Sequence, residues 1–491
     1  MAALVLRRDP TPGELDLFRR LAHDNPDVAA VLSGRAADKL PEASGAPEST
    51  TAWSNCFSAL QAKRPIGREP LQRIMDDIVS GRAKDTLAAA WLMTICVLGM
   101  SRADTQALTE IMASSGQRFD YREAPELAHS RLIRRYPTGA LSEKVALILP
   151  SLIAAARTCV EVCSPFLVAR SLGHTGGTWD KLSAIPGFVF PQPGKDSVRA
   201  LEACGVAMTV TQGDANPADR KLYQLRSSTG TIESVPLIVS SIASKQLTFP
   251  VHRLLLDVRI GDSAFLKDER EGLAVGQEVA ALVSAAGIQC TYTLTRTAQP
   301  NGMAIGNALE VAEAISVMGG AHPGWDERAL IEQRLLVIDF FSKLLAAEFP
   351  SMGAHDWAHF ASEQFHTGAV LRSFAEVLRA HKVSDLTITN LLRDPMVTLA
   401  VPADPVTVPS AIAGTLTSLD QLRLGEIVNR TLGGGGNDFE GDFDPRAGVV
   451  LGVRIGDAIR QGGTLCRVFT SRAISSATLA NIGSCFDITP S

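Results

Sequence analysis

Three stretches of this chain carry residues whose types and spacing suit chemistry. The first is Arg170-Ser171-Leu172-Gly173-His174-Thr175-Gly176-Gly177-Thr178-Trp179-Asp180-Lys181. It follows the apolar run Pro165–Ala169, which reads as a buried strand, and runs into Trp179–Ile185, which reads as the first turns of a helix. A strand, a glycine-rich turn and a helix start bring bare backbone N–H groups and a helix dipole to one point, which suits an anion. Gly176 and Gly177 let a ligand approach the backbone, and Thr178 adds a hydroxyl. The same residues also make a tight turn with Thr178 as a helix cap. The second stretch, Arg134-Arg135-Tyr136-Pro137-Thr138-Gly139-Ala140, leads into a helix predicted to begin near Ser142. An arginine pair is ordinarily solvated surface, but beside a helix start it suits a phosphate or carboxylate. The third is Val235–Gln246, where Ser241 and Lys245 stand four apart and so share a helix face. Asn216-Pro217 opens a preceding helix that carries Tyr223 and Arg226.

The elements that must position these residues are legible in outline. With 491 residues the chain buries a large core and divides into two or three domains. Net charge of −5 and 5% aromatic residues argue against nucleic acid as a partner. The apolar run at the N-terminus is too short for a signal peptide, and Leu87–Met100 is too short to span a bilayer, so a cytoplasmic protein is expected. Eight cysteines without a Cys-x-x-Cys pair suggest reduced thiols; Cys159 and Cys163 read as a buried pair one helical turn apart. Thr11-Pro12-Gly13-Glu14 and Asn25-Pro26 each open a short helix, and Gly34–Asn55 reads as a linker or mobile arm.

Three helical patterns fill Glu69–Gly116, with enough apolar face for dimerisation. After Phe249 strands (Arg253–Ile260, Ile288–Leu294) alternate with helices (Leu266–Ala286, Asn307–Met318), which argues for a largely parallel sheet covered by helices. Asp326–Phe349 reads as a long helix, and the chain from about Met396 is richer in Val, Thr and Gly, with a flexible turn at Gly433–Gly436. His355-Asp356-Trp357-Ala358-His359 places two histidines one turn apart, but its acid is in the wrong position for a zinc protease motif, so no metal site is assigned.

Gly-His-Thr-Gly-Gly-Thr at Gly173–Thr178, with Asp180-Lys181-Leu182 and Ile185-Pro186-Gly187-Phe188 after it, resembles the signature of the thymidine and pyrimidine-nucleoside phosphorylases. The similarity runs from about Gly67 to about Gly462. Members of that family cleave the N-glycosidic bond of pyrimidine nucleosides with phosphate, giving free base and pentose 1-phosphate. The resemblance implies an α/β protein of the class II nucleoside phosphorylase type: a small helical domain, a large mixed α/β domain and a β-rich C-terminal subdomain. The corresponding division is 1–56 as an N-terminal extension and linker, 57–122 with 216–250 as the helical dimerisation domain, 123–215 with 251–395 as the α/β domain, and 396–491 as the C-terminal subdomain. It further implies a homodimer, a hinge between the domains, a pyrimidine nucleoside or nucleotide as partner, and no cofactor other than phosphate as co-substrate.

Residue by residue, the resemblance is uneven. Arg226, Ser241 and Lys245 match the trio that holds the pyrimidine, arginine and lysine on the base carbonyl and ring nitrogen and serine on the other edge. Fixed cationic donors there stabilise the negative charge that develops on a departing base. Arg170 and His174 fall on the substrate side. On the phosphate side Arg135 keeps a lysine's charge and Thr138-Gly139 survive, while Tyr136 replaces the histidine, Pro137 a serine and Ala140 a glycine. Ala146 and Val168 occupy two further serine positions, which leaves Thr178, with Gly176 and Gly177, as the remaining hydroxyl and amide ligands. Each buried donor removed would weaken phosphate by about 1–3 kcal/mol. Tyr136 is the candidate in the histidine's place, though an unperturbed phenol near pKa 10 is a poor acid–base group at neutral pH. The resemblance thus points to a pentosyl transferase with an altered acceptor site, with ordinary phosphorolysis or an inactive pyrimidine-binding protein as alternatives.

Overall fold

The computed structural model describes residues 47–210, 215–320, 324–435 and 443–490. The helix starts expected at Thr11–Glu14 and Asn25–Pro26 lie outside the described residues, as does the end of the Gly433–Gly436 turn. The chain forms two compact units.

Of the described residues, one unit holds 47–119, 215–249 and 277–286. It is built from the helices Pro47–Gln61, Arg68–Val79, Asp85–Leu98, Arg102–Ala113, Pro217–Thr229 and Val235–Thr248. Leu71, Ile74, Met75 and Ile78 recur at helical spacing and bury one face of their helix. Ser101 caps the Arg102–Ala113 helix by accepting from the Asp104 amide, and Asp104 in turn accepts from the amides of Ile66 and Gly67. The linker expected over Gly34–Asn55 is corrected at its end. The Pro47–Gln61 helix occupies it, and Trp53, Cys56, Ala59 and Leu60 are buried in the same core as Trp91 and Leu92. Ala, Ser and Thr around Trp53 gave little periodicity; the Trp53 indole instead fixes the helix by donating to Asp77 at 3.1 Å.

The other unit holds the described residues within 120–210, 250–276 and 287–490. Its centre is a parallel sheet of β1 (Arg131–Pro137), β2 (Val162–Val168), β3 (Val206–Val210), β4 (Arg253–Ile260) and β5 (Gln289–Arg296), in the order β3-β2-β1-β4-β5. Nearly every residue of β3 and β4 is buried, as a sheet covered on both faces requires. The strand order turns at β1, which pairs with β2 on one side and β4 on the other. In open α/β sheets the carboxyl ends of strands at such a switch point are where ligands bind. Farther along, β6 (Ala304–Ile305), β7 (Val406–Pro409), β9 (Gly448–Leu451) and β11 (Thr464–Phe469) form one antiparallel sheet. The strands β8 (Gly414–Leu419), β10 (Ala458–Ile459) and β12 (Phe486–Thr489) form another.

Two local expectations change. The helix expected near Ser142 begins at Val145, because Ser142 adopts a left-handed φ of 61° and Lys144 is drawn inward. Cys159 and Cys163 do not share a helix: Cys159 is exposed, and Cys163 is buried in β2. On the Ala354–His366 helix, Asp356 caps the start by accepting from the Gly353 amide at 3.0 Å.

Candidate active site

In the α/β unit Thr138 follows the carboxyl end of β1, and Gly176, Gly177 and Thr178 stand in the turn that follows β2. The turn after β2 is held by Asp180, whose Oδ2 accepts from the amides of Ser171 at 2.6 Å and Gly177 at 3.1 Å. The Trp179 amide donates back to Ala169. The helix that follows, Thr178–Ser183, is six residues long. Gly177 has an ordinary extended backbone, so conformational freedom does not demand glycine there. Close approach does: a Cβ would stand 2.4 Å from Ala169 O and from the Arg170 carbonyl carbon. At Gly176 the nearest atom to a Cβ is Asn307 Oδ1 at 3.4 Å. Gly177→Ala should therefore destabilise the protein by about 1–3 kcal/mol and Gly176→Ala by well under that, read as shifts in the urea unfolding midpoint.

Arg170 lies over the Trp179 ring at 4.1 Å, and Trp179 stacks on Phe190. His174 is buried, with Nε2 2.8 Å from Ser263 O and its ring edge-on to Phe265. Thr138, past the end of β1, accepts from the Arg259 amide at 2.8 Å through its hydroxyl. Tyr136 sits half-buried in β1 opposite Leu256. Ala146 and Val168 are buried apolar positions.

The arginine expected on phosphate is placed otherwise. Arg135 is fully buried and its Nη2 pairs with Glu143 at 2.9 Å and with Asp257. Arg259 donates from Nε to the same Asp257 oxygen at 2.6 Å, and Thr295 donates to the other. Phe340 covers the Arg135 guanidinium at 4.5 Å. Charge on Arg135 is thus met by two carboxylates from its own fold, which corrects the reading of Arg135 and its neighbour Arg134 as solvated or anion-holding. Arg134 is buried too, donating to Pro165 O at 2.6 Å. Beside this cluster Lys181 pairs with Glu310 at 2.8 Å and donates to Glu143 O. Lys144 pairs with Glu313 at 3.0 Å and donates to Ser142 Oγ and the carbonyls of Asn301 and Ala304. Burial alone would raise the Glu143 carboxyl, but Arg135, Arg259 and Lys181 hold it down to about 2.

Two buried groups in this unit titrate in opposite senses. Burial raises Asp180 to about 6 despite its two amide donors. His381 accepts from the Met208 amide at Nε2, so its Nδ1 carries the proton donated to Val377 O, and burial lowers it to about 4. With its folded pKa depressed below about 6.5, the neutral His381 contributes stability above that pH which is lost as pH falls towards 4. Asp180, raised above about 3.9, contributes stability at low pH which is lost as pH rises through 6. Each amounts to about 3 kcal/mol by these shifts. The two nearly cancel, so His381→Gln should cost less at pH 4.5 than at pH 7, by about 2 kcal/mol in urea unfolding.

In the helical unit the expected pyrimidine-holding residues form a buried cluster. Lys245 Nζ lies 2.5 Å from Asp219 Oδ2, 2.8 Å from Ser241 Oγ and 3.2 Å from Ser241 O. Ser241 Oγ donates to Asp219 Oδ1 at 2.6 Å, and the Tyr223 ring faces Lys245 at 5.1 Å. Arg226 is buried and donates to the carbonyls of Thr231, Ile232 and Leu237, ordering the turn between the two helices. Burial lowers both Lys245 and Arg226, opposed in each case by Asp219. Ser241 and Lys245 are therefore brought together, and Arg226 stands near enough to act on Lys245. Asp219 was missed by sequence reasoning, although Asp219, Tyr223 and Arg226 at i, i+4 and i+7 mark one helix face.

The sequence matches the glycosyl transferase family through its helical bundle domain over residues 57–116 and its a/b domain over residues 144–347. Residues 415–489 match the pyrimidine nucleoside phosphorylase C-terminal domain. The chain is 31% identical to thymidine phosphorylase of Mesorhizobium japonicum, over 84% of this chain and 90% of that protein. It is 29% identical to pyrimidine-nucleoside phosphorylase of Bacillus subtilis, over 86% and 93% respectively. Among solved structures, anthranilate phosphoribosyltransferase of Thermus thermophilus aligns with a TM-score of 0.47 at 15% identity, over 68% of this chain and 99% of that one. The chain belongs to the thymidine and pyrimidine-nucleoside phosphorylase family, with its helical domain, α/β domain and C-terminal antiparallel region all present. No helix among the described residues is long and apolar enough to cross a membrane.

Proposed function

We propose that the protein is a pentosyl transferase that breaks or forms the N-glycosidic bond of a pyrimidine nucleoside or nucleotide, in the manner of a phosphorylase but with a rebuilt acceptor side. The observation that carries this reading is the buried convergence of Lys245 and Ser241 on Asp219, with the Tyr223 ring facing Lys245, in a chain of this family. In cleavage the C1–N1 electron pair leaves with the base, an acceptor oxygen bonds to C1, and the departing pyrimidine carries negative charge onto its carbonyls. A Lys245 ammonium donates to that charge as it grows, Ser241 meets the other polar edge, and Arg226 adds positive potential. On the acceptor side Thr178, Tyr136 and Thr138, whose hydroxyl accepts from the Arg259 amide and keeps its own O–H to donate, are the groups assigned to the incoming oxygen, since Arg135 is matched by Glu143 and Asp257. Arg170 and His174 are assigned to the sugar side. An acceptor other than inorganic phosphate, or a phosphate already on the substrate, fits that rebuilt half best. The same reading makes the protein a homodimer, supported by the half-buried Met93 and Val97 on the Asp85–Leu98 helix and checkable by sedimentation.

Calorimetry with uracil and thymine, each titrated with and without phosphate, tests the split between the halves. Base binding that phosphate leaves unchanged is expected. Absence of base binding in both conditions would overturn the proposal.

A further inference from the structure

The base-holding cluster is closed on itself. All three Lys245 N–H groups are used, on Asp219 Oδ2, Ser241 Oγ and Ser241 O. The Ser241 hydroxyl spends its proton on Asp219 Oδ1. Asp219, Ser241 and Lys245 are each 6% exposed or less, so water does little to moderate these charges. We infer that Asp219 is the positioning residue of this cluster, holding the Lys245 ammonium charged and the Ser241 hydroxyl aimed in the one arrangement that can meet a pyrimidine. This rests on the function proposed above.

The charges acting on Lys245 are Asp219 and Arg226. Groups on the neighbouring helices are engaged elsewhere: Asp104 with the Ile66 and Gly67 amides, Glu110 with Arg68, Asp85 with Lys221. Cys96 acts on Arg226 and has its own thiol pushed up to about 11 by burial. Tyr223 presents its ring face to Lys245. Without the carboxylate, burial and Arg226 would both drive the ammonium to shed its proton. A neutral amine keeps two N–H groups but loses the charge that a leaving pyrimidine anion needs. Asp219 itself is fixed from below, because Asn216 caps its helix by accepting from the Asp219 amide at 3.2 Å. A ligand carbonyl then enters by replacing one Lys245 donor bond, most simply that to Ser241 O, the longest of the three.

The test uses Asp219→Asn and Asp219→Glu in the full-length protein with two readouts. The first is independent of any substrate: the rate of reductive methylation of Lys245 by formaldehyde and cyanoborohydride, followed by peptide mass spectrometry across pH. In Asp219→Asn the reactive form should appear at least about one pH unit lower, a tenfold rise in reactive amine at a given pH, while Asp219→Glu stays near wild type. The second is the pH profile of base release, whose alkaline limb should move down by the same amount in Asp219→Asn only. Should Asp219→Asn not fold, Asp219→Glu decides: a retained methylation curve with KM raised severalfold, from the displaced Ser241, is expected. An unchanged Lys245 methylation curve in folded Asp219→Asn, or a shifted one in Asp219→Glu, would overturn the inference. A shifted curve in a protein that releases no base from any pyrimidine nucleoside would uphold the Asp219–Lys245 coupling and overturn the proposed function instead.

Discussion

Replacing Lys245 by methionine is expected to lower kcat/KM for base release by about 10²–10³-fold, the loss seen when one preorganised donor to developing charge is removed. Lys245 is 3% exposed and its ammonium is held by Asp219 and Ser241, so a base that takes over the bond to Ser241 O meets a donor already anchored by the other two. Methionine keeps the apolar stem but strands the Asp219 carboxylate in a buried site. The loss should therefore be read beside the thermal midpoint of the same variant. A drop in rate that tracks unfolding alone would argue against a chemical role. Arg226→Lys should behave differently, because the guanidinium is spent on the carbonyls of Thr231, Ile232 and Leu237. Its main cost should be stability, through the loosened turn, and only secondarily rate.

The second large effect is on folding. Asp257→Asn should destabilise the protein by about 3–5 kcal/mol, the cost of breaking a buried ion pair from one side. Asp257 is wholly buried and one of its oxygens serves both Arg135 and Arg259, while Thr295 donates to the other. Without that charge, Glu143 alone faces two arginines, at 2.9 Å from Arg135 and 3.8 Å from Arg259. Arg259 Nη1 and Nη2 already lack hydrogen-bond partners among the described residues, so the cluster has no spare acceptor to share. Urea unfolding of the variant is the measurement, and a loss below about 1 kcal/mol would show that the cluster is solvated rather than dry.

The fold was largely legible, and the reasons are physical. β4 spans Arg253–Ile260 as expected, and the alternation of strands and helices along the chain does give a parallel sheet. The Gly173–Thr178 turn was legible as a turn. Its purpose was not, since the demand for glycine at Gly177 comes from the Ala169 and Arg170 backbone folding back across it. Arg135 was misread because its partners stand 8 and 122 residues away in sequence, and no local pattern pairs them. The same blindness hid Lys144, whose acceptors Asn301 and Ala304 come from the far side of the α/β unit's sequence. The four-residue spacing put Ser241 and Lys245 on one helix face, but it took the resemblance to the family's trio to single them out, and Asp219 sits on the preceding helix. Local periodicity reports elements; buried charge pairing between distant segments is invisible to it.

The central claim is that the heterocycle-holding half of this family's chemistry persists while the anion-holding half has been rebuilt. Mixing the protein with uridine or thymidine, supplying in turn inorganic phosphate, other oxyanions and water, and following free base by chromatography tests it most directly. Base release that depends on Lys245 and responds to an acceptor other than phosphate, or to phosphate only weakly, is the predicted result. Release with inorganic phosphate at the full rate of an ordinary phosphorylase would contradict the rebuilt acceptor half, and no release from any pyrimidine nucleoside or nucleotide would contradict the transferase itself.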